Sequence, residues 1–148
     1  MSRVRRVNRS ALVPYSAESM FALVADVRSY PEFLPWCTSA EVHSETDMEQ
    51  EASIGVGLGA LRTEFATRNR LSRPTVIRLQ LLDGPFSELR GEWRFEQVGG
   101  DGCEVGLELE FSFASRMQDG LFGALFEKVC NELIDAFVRR AHELYDRQ

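Results

Sequence analysis

The sequence predicts an α+β fold in which a curved antiparallel sheet of about seven strands grips one long C-terminal helix. Three observations lead there. Over residues 118–147, Phe122, Phe126, Val129, Leu133, Phe137, Ala141 and Leu144 recur at three- and four-residue steps, the period of one helical face turned to a core. Between residues 38 and 113 the apolar period changes to two, as in half-buried strands. The connections between those strands are short, which favours antiparallel neighbours with one dry face and one wet face.

Taken in order, residues 4–13 read as a strand, rich in β-branched residues and arginine and stopped by Pro14. Ser16 offers an N-cap hydroxyl, and Glu18 places an anion in the first turn of a short helix whose inner face is Met20, Phe21, Val24 and Val27. Pro31, Glu32, Phe33 and Leu34 suit a single helical turn with proline at its start, ended by Pro35. Residues 40–45 and 51–58 form a hairpin turned around Thr46, Asp47 and Met48. Phe65, Thr67, Asn69 and Leu71 alternate next, followed by Ile77, Leu79 and Leu81, then Leu89, Gly91, Trp93 and Phe95. Turns fall at Arg73-Pro74, Asp83-Gly84-Pro85 and residues 99–102. The last strand is the cleanest, with Cys103, Val105, Leu107, Leu109, Phe111 and Phe113 on one face and Glu104, Glu108, Glu110 and Ser112 on the other.

In the final helix, Leu121, Leu125, Cys130, Ile134 and Tyr145 widen the apolar stripe beyond a coiled-coil seam. At ~1.5 Å per residue such a helix is about 40 Å long, enough to cross a small domain.

The 148 residues fit one domain over 1–148, with 44% hydrophobic and 27% charged residues, ordinary for a globular protein. Cys37, Cys103 and Cys130 are odd in number and lack C-x-x-C spacing, so a reducing compartment is expected. A net charge of −6 disfavours indiscriminate binding to nucleic acid, and no DNA partner is expected. Lys128 is the only lysine among the cations, for which coding bias is the simplest explanation. The N-terminus has neither a secretory apolar run nor a long arginine- and serine-rich leader. A bacterial cytoplasmic protein is therefore the expectation.

The catalytic inventory is thin. His43 and His142 stand at no metal-ligand spacing, and no nucleophile elbow is present, so neither metal nor catalytic residues are expected. Gly55, Gly57 and Gly59 fail the nucleotide-loop test because another strand follows; they mark a bend, a bulge or a close backbone approach. Arg62, Arg68, Arg70, Arg78, Arg90 and Arg94 form a candidate basic stripe on the outer sheet face, with Glu64, Glu92 and Glu96 as cross-strand partners. The aromatic inventory is more suggestive. Phe65, Trp93, Phe95, Phe111 and Phe113 converge with Phe122 and Phe126 of the helix, and Phe33 and Trp36 close one end. An apolar cavity of several hundred Å3 between sheet and helix would suit a small hydrophobic ligand; a fully packed core is the alternative, since periodicity does not distinguish a lined cavity from a filled one.

Several segments together resemble the coenzyme Q-binding/RatA family. They are Val13-Pro14-Tyr15-Ser16-Ala17-Glu18 with Met20-Phe21, Asp26-Val27, and Tyr30-Pro31-Glu32-Phe33-Leu34-Pro35-Trp36-Cys37. Leu61-Arg62-Thr63, Phe65, Thr67-Arg68-Asn69, Asp83-Gly84-Pro85-Phe86, Gly91, Trp93, Phe95 and Phe137-Val138-Arg139-Arg140-Ala141 extend the likeness over nearly the whole chain. A lysine often found in the family near Val56-Gly57 is missing.

The resemblance implies the START-like helix-grip fold, in a β-α-α-β6-α order. It implies one of two non-enzymatic roles. The first is binding of a polyprenyl quinone, or another lipid, that supports respiration. Phe33, Trp36, Phe65, Leu79, Trp93, Phe95, Phe111, Phe113, Phe122, Phe126, Val129 and Leu133 are its candidate ligand-binding residues. Phe33, Trp36 and Phe86 would frame the mouth, in transient peripheral contact with the inner membrane. No cofactor is required, the quinone being a ligand. The second role is a toxin that binds the large ribosomal subunit and blocks subunit joining, with Arg62, Arg68 and Arg70 as candidate contacts. A cyclase-type enzyme ranks last, because the sequence supplies no polar pocket for it.

Overall fold

The computed structural model describes residues 3–146. The element order is β1 (Arg5–Val13), α1 (Ala17–Ala25), a 3-10 helix (Val27–Glu32), β2 (Cys37–Glu45), β3 (Glu49–Leu58), β4 (Leu61–Ser72), β5 (Val76–Asp83), β6 (Phe86–Val98) and β7 (Gly102–Phe113). A helical region of four pieces follows: α2 (Arg116–Gln118), a π turn (Asp119–Gly123), α3 (Ala124–Asn131) and α4 (Leu133–Tyr145). This is the helix-grip α+β architecture. The sheet has seven strands in the order β1-β7-β6-β5-β4-β3-β2, and each neighbouring pair is antiparallel.

The alternation read from the sequence sets the faces. Cys103, Val105, Leu107, Leu109, Phe111 and Phe113 of β7 are all buried, while Glu104 and Glu108 between them are exposed. The hairpin strands begin earlier than expected, β2 at Cys37 and β3 at Glu49. Thr46 carries the turn: its N–H donates to the Glu49 carbonyl at 2.7 Å, and its Oγ1 accepts the Glu49 N–H at 3.1 Å. At the other end of β2 the register shifts between Cys37 and Ser39, opposite Val56 and Gly55. A Cβ on Gly55 would lie 2.4 Å from the Ser39 hydroxyl, so glycine there permits the close approach of the bulged strand.

Ser16 caps α1 as its sequence predicts, accepting the Ser19 N–H at 3.1 Å. The helix presses Phe21 edge-on against Phe95 at 5.5 Å between ring centroids. The next turn differs from expectation. It is a 3-10 helix that contains Pro31 near its end instead of starting there, and both Phe33 and Leu34 donate their N–H to the Tyr30 carbonyl. Burial of Val27 draws the turn inward earlier than the proline signal suggests.

The C-terminal helix is the largest correction. It is not one continuous rod: it starts at Arg116, widens into the π turn, and breaks at Glu132, whose N–H bonds to the Val129 carbonyl. The expected end at residue 147 lies outside the described residues. The inner face is also narrower than the sequence suggests. Phe126, Cys130, Ile134, Phe137 and Ala141 are buried, but Leu121, Leu125 and Leu144 are exposed at 65%, 39% and 38%. The flank that carries Leu125 faces a groove instead of a strand.

An ion cluster holds the π turn to the sheet edge. The Arg5 guanidinium donates from Nε to Asp119 Oδ1 at 2.9 Å, from Nη2 to Asp119 Oδ2 at 3.1 Å, and from Nη1 to Glu127 Oε1 at 2.9 Å. A forked contact of this kind is the geometry for which guanidinium suits carboxylate. Gly123 lies directly beneath it: a Cβ there would stand 2.5 Å from Arg5 Nε. Arg5 and Asp119 are only 8% and 13% exposed, so water screens the pair weakly. The Arg5 hydrogen bonds hold the Asp119 carboxyl below its usual range against an opposing effect of burial.

Because the folded-state value is depressed, this contribution is complete above the ordinary aspartate value of about 3.9 and is lost as pH falls through the folded value. Asp119→Asn is expected to lower stability by about 2 kcal/mol at pH 7. Urea unfolding below pH 4 should show the variant and the wild type converging; an undiminished gap there would contradict this assignment.

Candidate functional site

Two places in the fold can hold a partner: the space between sheet and helix, and the outer face of the sheet. The inner space lies between two aromatic hubs. Phe137 meets Tyr30, Phe33 and Trp93 at 5.4, 5.2 and 5.3 Å between centroids. Phe126 meets Phe111, Phe86 and Phe65 at 5.0, 5.4 and 6.3 Å. The rings fill most of the volume, and the remaining cavity is about 90 Å3. Of the two alternatives, an open cavity of several hundred Å3 and a packed core, this conformation lies close to the second, because edge-to-face contacts close the gaps.

Of the residues picked from the sequence, Trp36, Phe65, Leu79, Trp93, Phe126 and Leu133 line this cavity. Phe95, Phe111 and Phe113 point inward but are taken up by other rings; Phe95 stacks behind Trp93 and packs on Phe21. Phe122 is half-buried at the start of the helical region, away from the cavity. Phe33 sits behind Phe137 with the Arg140 guanidinium 5.1 Å over its ring. Phe86 is 6% exposed and belongs to the Phe126 hub, not to a mouth.

Val129 lines a second space, an external groove of about 410 Å3 bounded by Trp36, Leu58, Leu125 and Leu133, with Arg139 and Glu132 at its rim. Trp36 and Leu133, with Leu34, border both spaces. They form a thin partition between cavity and groove.

Sequence reading missed the polar part of the cavity wall. Gln50, Thr67 and Asn69 line it and are 1%, 6% and 4% exposed. The signal was present, since Thr67 and Asn69 stand in phase with Phe65 and Leu71 on the inward face of β4. Thr67 Oγ1 donates to Asn69 Oδ1 at 2.8 Å, and Asn69 Nδ2 donates to Gln50 Oε1 at 2.9 Å. Gln50 Nε2 reaches the Ala25 carbonyl and Glu45 Oε2, each at 3.3 Å. None of the three side chains ionises near neutral pH. Burial pushes the Tyr30 phenol and the Cys130 thiol, both on the cavity wall, well up. Both groups stay protonated, which suits them to packing and not to proton transfer.

On the outer face, Arg6, Arg68, Arg70, Arg78 and Arg90 line a shallow depression of about 720 Å3 together with Asn8, Gln80, Glu92, Glu108 and Glu110. Most cations are paired across strands: Arg6 and Arg90 with Glu110, Arg78 with Glu92, and Arg68 with Glu49 and Glu51. These pairs hold Glu92 and Glu110 below the usual carboxylate range. Arg94 joins Glu92 and Glu108 beside the depression. Arg62 does not belong to this set; it lies at the β3–β4 turn, where its Nη1 donates to the Gly59 and Leu61 carbonyls at 2.8 and 2.9 Å.

Residues 13–138 match the family described as polyketide cyclase / dehydrase and lipid transport. The ribosome association toxin RatA of Pseudomonas aeruginosa is 42% identical over 94% of this chain and 96% of its own length. The chain belongs to this family, in its coenzyme Q-binding/RatA branch. The mitochondrial coenzyme Q-binding protein COQ10 of Drosophila melanogaster is 27% identical over 91% of this chain, which spans 57% of that protein. Among solved structures, the ZhuI aromatase/cyclase from Streptomyces sp. R1128 superposes with a TM-score of 0.81 at 20% identity, covering 95% of this chain and 94% of its own. A START superfamily protein from Mycobacterium smegmatis gives 0.80 at 17% identity, covering 94% and 98%. At these identities the likeness concerns fold alone.

The closed cavity wall has a direct chemical readout at Cys130. Iodoacetamide at pH 8 should leave Cys130 unlabelled in the native protein and label it fully in guanidinium chloride. Mass mapping of the tryptic peptide checks this, and native labelling at the denatured rate would mean the wall is open.

Proposed function

We propose that this chain is a non-enzymatic, RatA-like protein that associates with the large ribosomal subunit in a bacterial cytoplasm and blocks subunit joining. The observation that carries the reading is the 42% identity to a ribosome association toxin over nearly the full length of both chains. The outer face supports it. Arginine forks match phosphate oxygens, and a row of them across β4, β5 and β6 presents that chemistry on a broad, shallow surface. Arg70 is the exposed member for which no carboxylate partner is found among the described residues, and Arg68 is a third exposed beside it. The paired arginines would exchange glutamate for phosphate on docking, so binding should be strongly salt-dependent. Catalysis is not part of this reading, because the cavity wall offers amides, a hydroxyl and protonated groups in place of an acid–base pair. No cofactor is required.

A second reading rests on the inner space. A chain with an apolar cavity, a polar patch at one wall and a groove next door has the elements of a hydrophobic-ligand site, and the COQ10 relative points to a quinone or similar lipid. At about 90 Å3 the cavity holds roughly three water volumes, so a polyprenyl tail requires opening at the Trp36–Leu133 partition. No helix among the described residues is long and apolar enough to cross a membrane, and any membrane contact would be peripheral. The two readings use different faces and are compatible.

Sucrose-gradient sedimentation with isolated subunits tests the first reading. The wild type should travel with large subunits in low salt and separate from them as salt rises. Reversal of Arg68 and Arg70 to glutamate should weaken the association at least tenfold while leaving the melting temperature within a few degrees. Unchanged co-sedimentation of that double variant would remove the outer face from the contact.

A further inference from the structure

We propose that Asn69 and Thr67 form a recognition site for one oxygen of an amphiphilic ligand, whose head occupies the cavity and whose apolar tail leaves past Trp36 into the external groove. The proposal deepens the small-ligand reading and rests on it. Its starting point is the direction of the buried hydrogen bonds. Every donor in the series points the same way, from Thr67 to Asn69, from Asn69 to Gln50, and from Gln50 to the Ala25 carbonyl and the Glu45 carboxylate.

Counting hydrogens along this series shows what is left over. An amide side chain carries two N–H donors, and a hydroxyl carries one donor and two lone pairs. Gln50 uses both donors. Asn69 uses one, toward Gln50, and no acceptor among the described residues takes the other. Thr67 uses its only hydrogen on Asn69. The wall therefore offers one N–H to an incoming oxygen, beside a hydroxyl that only accepts.

A purely structural account explains part of this. Gln50 ties β3 to the end of α1 through the Ala25 carbonyl, and Asn69 orients Gln50. That tie does not call for a second donor in a cavity whose other walls include Ile77, Trp93, Leu107, Phe126 and Phe137, and where the Tyr30 hydroxyl is already spent on the Val24 carbonyl. A buried N–H without a partner costs about 1–3 kcal/mol, and a carbonyl oxygen of a ligand removes that cost. A hydrocarbon cannot.

The tail route follows from shared walls. Trp36 and Leu133 border both the cavity and the groove of about 410 Å3, whose other apolar residues are Leu58, Leu125 and Val129. A molecule longer than the cavity has a continuous apolar path once Trp36 turns aside. Trp36 is half-buried and lies between the 3-10 helix and β2; its carbonyl accepts the Gly57 N–H at 2.9 Å, so the indole turns about its own side-chain bonds while the backbone stays tied to β3.

The test uses 2-hexyl-1,4-benzoquinone and hexylbenzene, which share a tail and differ in the carbonyl oxygens, titrated into full-length protein and followed by amide NMR shifts. The wild type is expected to bind the quinone about tenfold more tightly, with shifts at Thr67, Asn69 and Leu58. Asn69→Leu should bring the ratio near one and leave hexylbenzene affinity unchanged or higher. Thr67→Val, closer in shape, should reduce the preference to a few-fold and serves if the leucine variant does not fold. Equal affinity of the wild type for both probes, or a tenfold preference that survives Asn69→Leu, overturns the recognition site while leaving hydrophobic binding intact. Failure of the wild type to bind either probe overturns the small-ligand reading itself.

Discussion

The organising constraint is that one helical region must cover the apolar face of a seven-stranded sheet. β6 and β7 alone turn Leu89, Trp93, Phe95, Val105, Leu107, Leu109, Phe111 and Phe113 to the same side. Twist rotates each strand relative to the next, so a straight rod touches such a surface over only part of its length. The chain resolves the mismatch by changing the rod. The π turn and the break at Glu132 divide the helix into pieces that meet different parts of the sheet, α3 over the Phe126 hub and α4 over the Phe137 hub. The cavity lies where these two packings meet, and the groove lies where the bent helix leaves the β3–β4 turn uncovered.

This explains which features are legible in the sequence. Strand faces are legible because each strand has a dry side and a wet side; β7 alternates from Cys103 to Phe111, and the exception is Ser112, expected on the wet face but buried at 5% exposure against the Ser87 hydroxyl. The helical break carries almost no local signal. No proline interrupts residues 116–145, and the two glycines of the π turn, Gly120 and Gly123, are weak markers. The decisive partner of that turn, Arg5, lies more than a hundred residues away and inside a strand whose arginines look uniformly solvent-facing. Cavity volume is equally hidden. Alternation tells that Phe95, Phe111 and Phe113 point inward, but not that each ends against another ring. The polar wall was visible as Thr67 and Asn69 in phase with Phe65 and Leu71. Its cooperative arrangement with Gln50 needed the β3–β4 register, in which Gln50 and Asn69 are direct partners.

The outer face shows how a chain of net charge −6 can still present ordered cations. Cross-strand carboxylates hold the guanidinium groups of β1, β5 and β6 in place, so they project as a patterned array instead of moving independently. Acidic residues here position the arginines as well as offsetting their charge. An incoming polyanion has to compete for forks already occupied, which favours a large, rigid, multiply charged surface over a small anion. The inner face has the opposite character, with dense rings and a single directional set of amide and hydroxyl groups. Along β4 the two faces alternate residue by residue, Arg68 and Arg70 lining the outer depression and Thr67 and Asn69 the inner cavity.

The link between Arg5 and Asp119 has a consequence for how the molecule is made. It joins residues 114 positions apart, binding an edge strand near the start of the chain to a turn in its last quarter. Until that turn has left the exit tunnel during synthesis, the strands cannot bury their apolar face, and the nascent chain carries an uncovered sheet surface. Proteins dominated by such distant pairings fold slowly and stay vulnerable to self-association meanwhile. Completion of this fold therefore waits on the last helix, and the domain becomes native only when that helix is free of the ribosome that makes it.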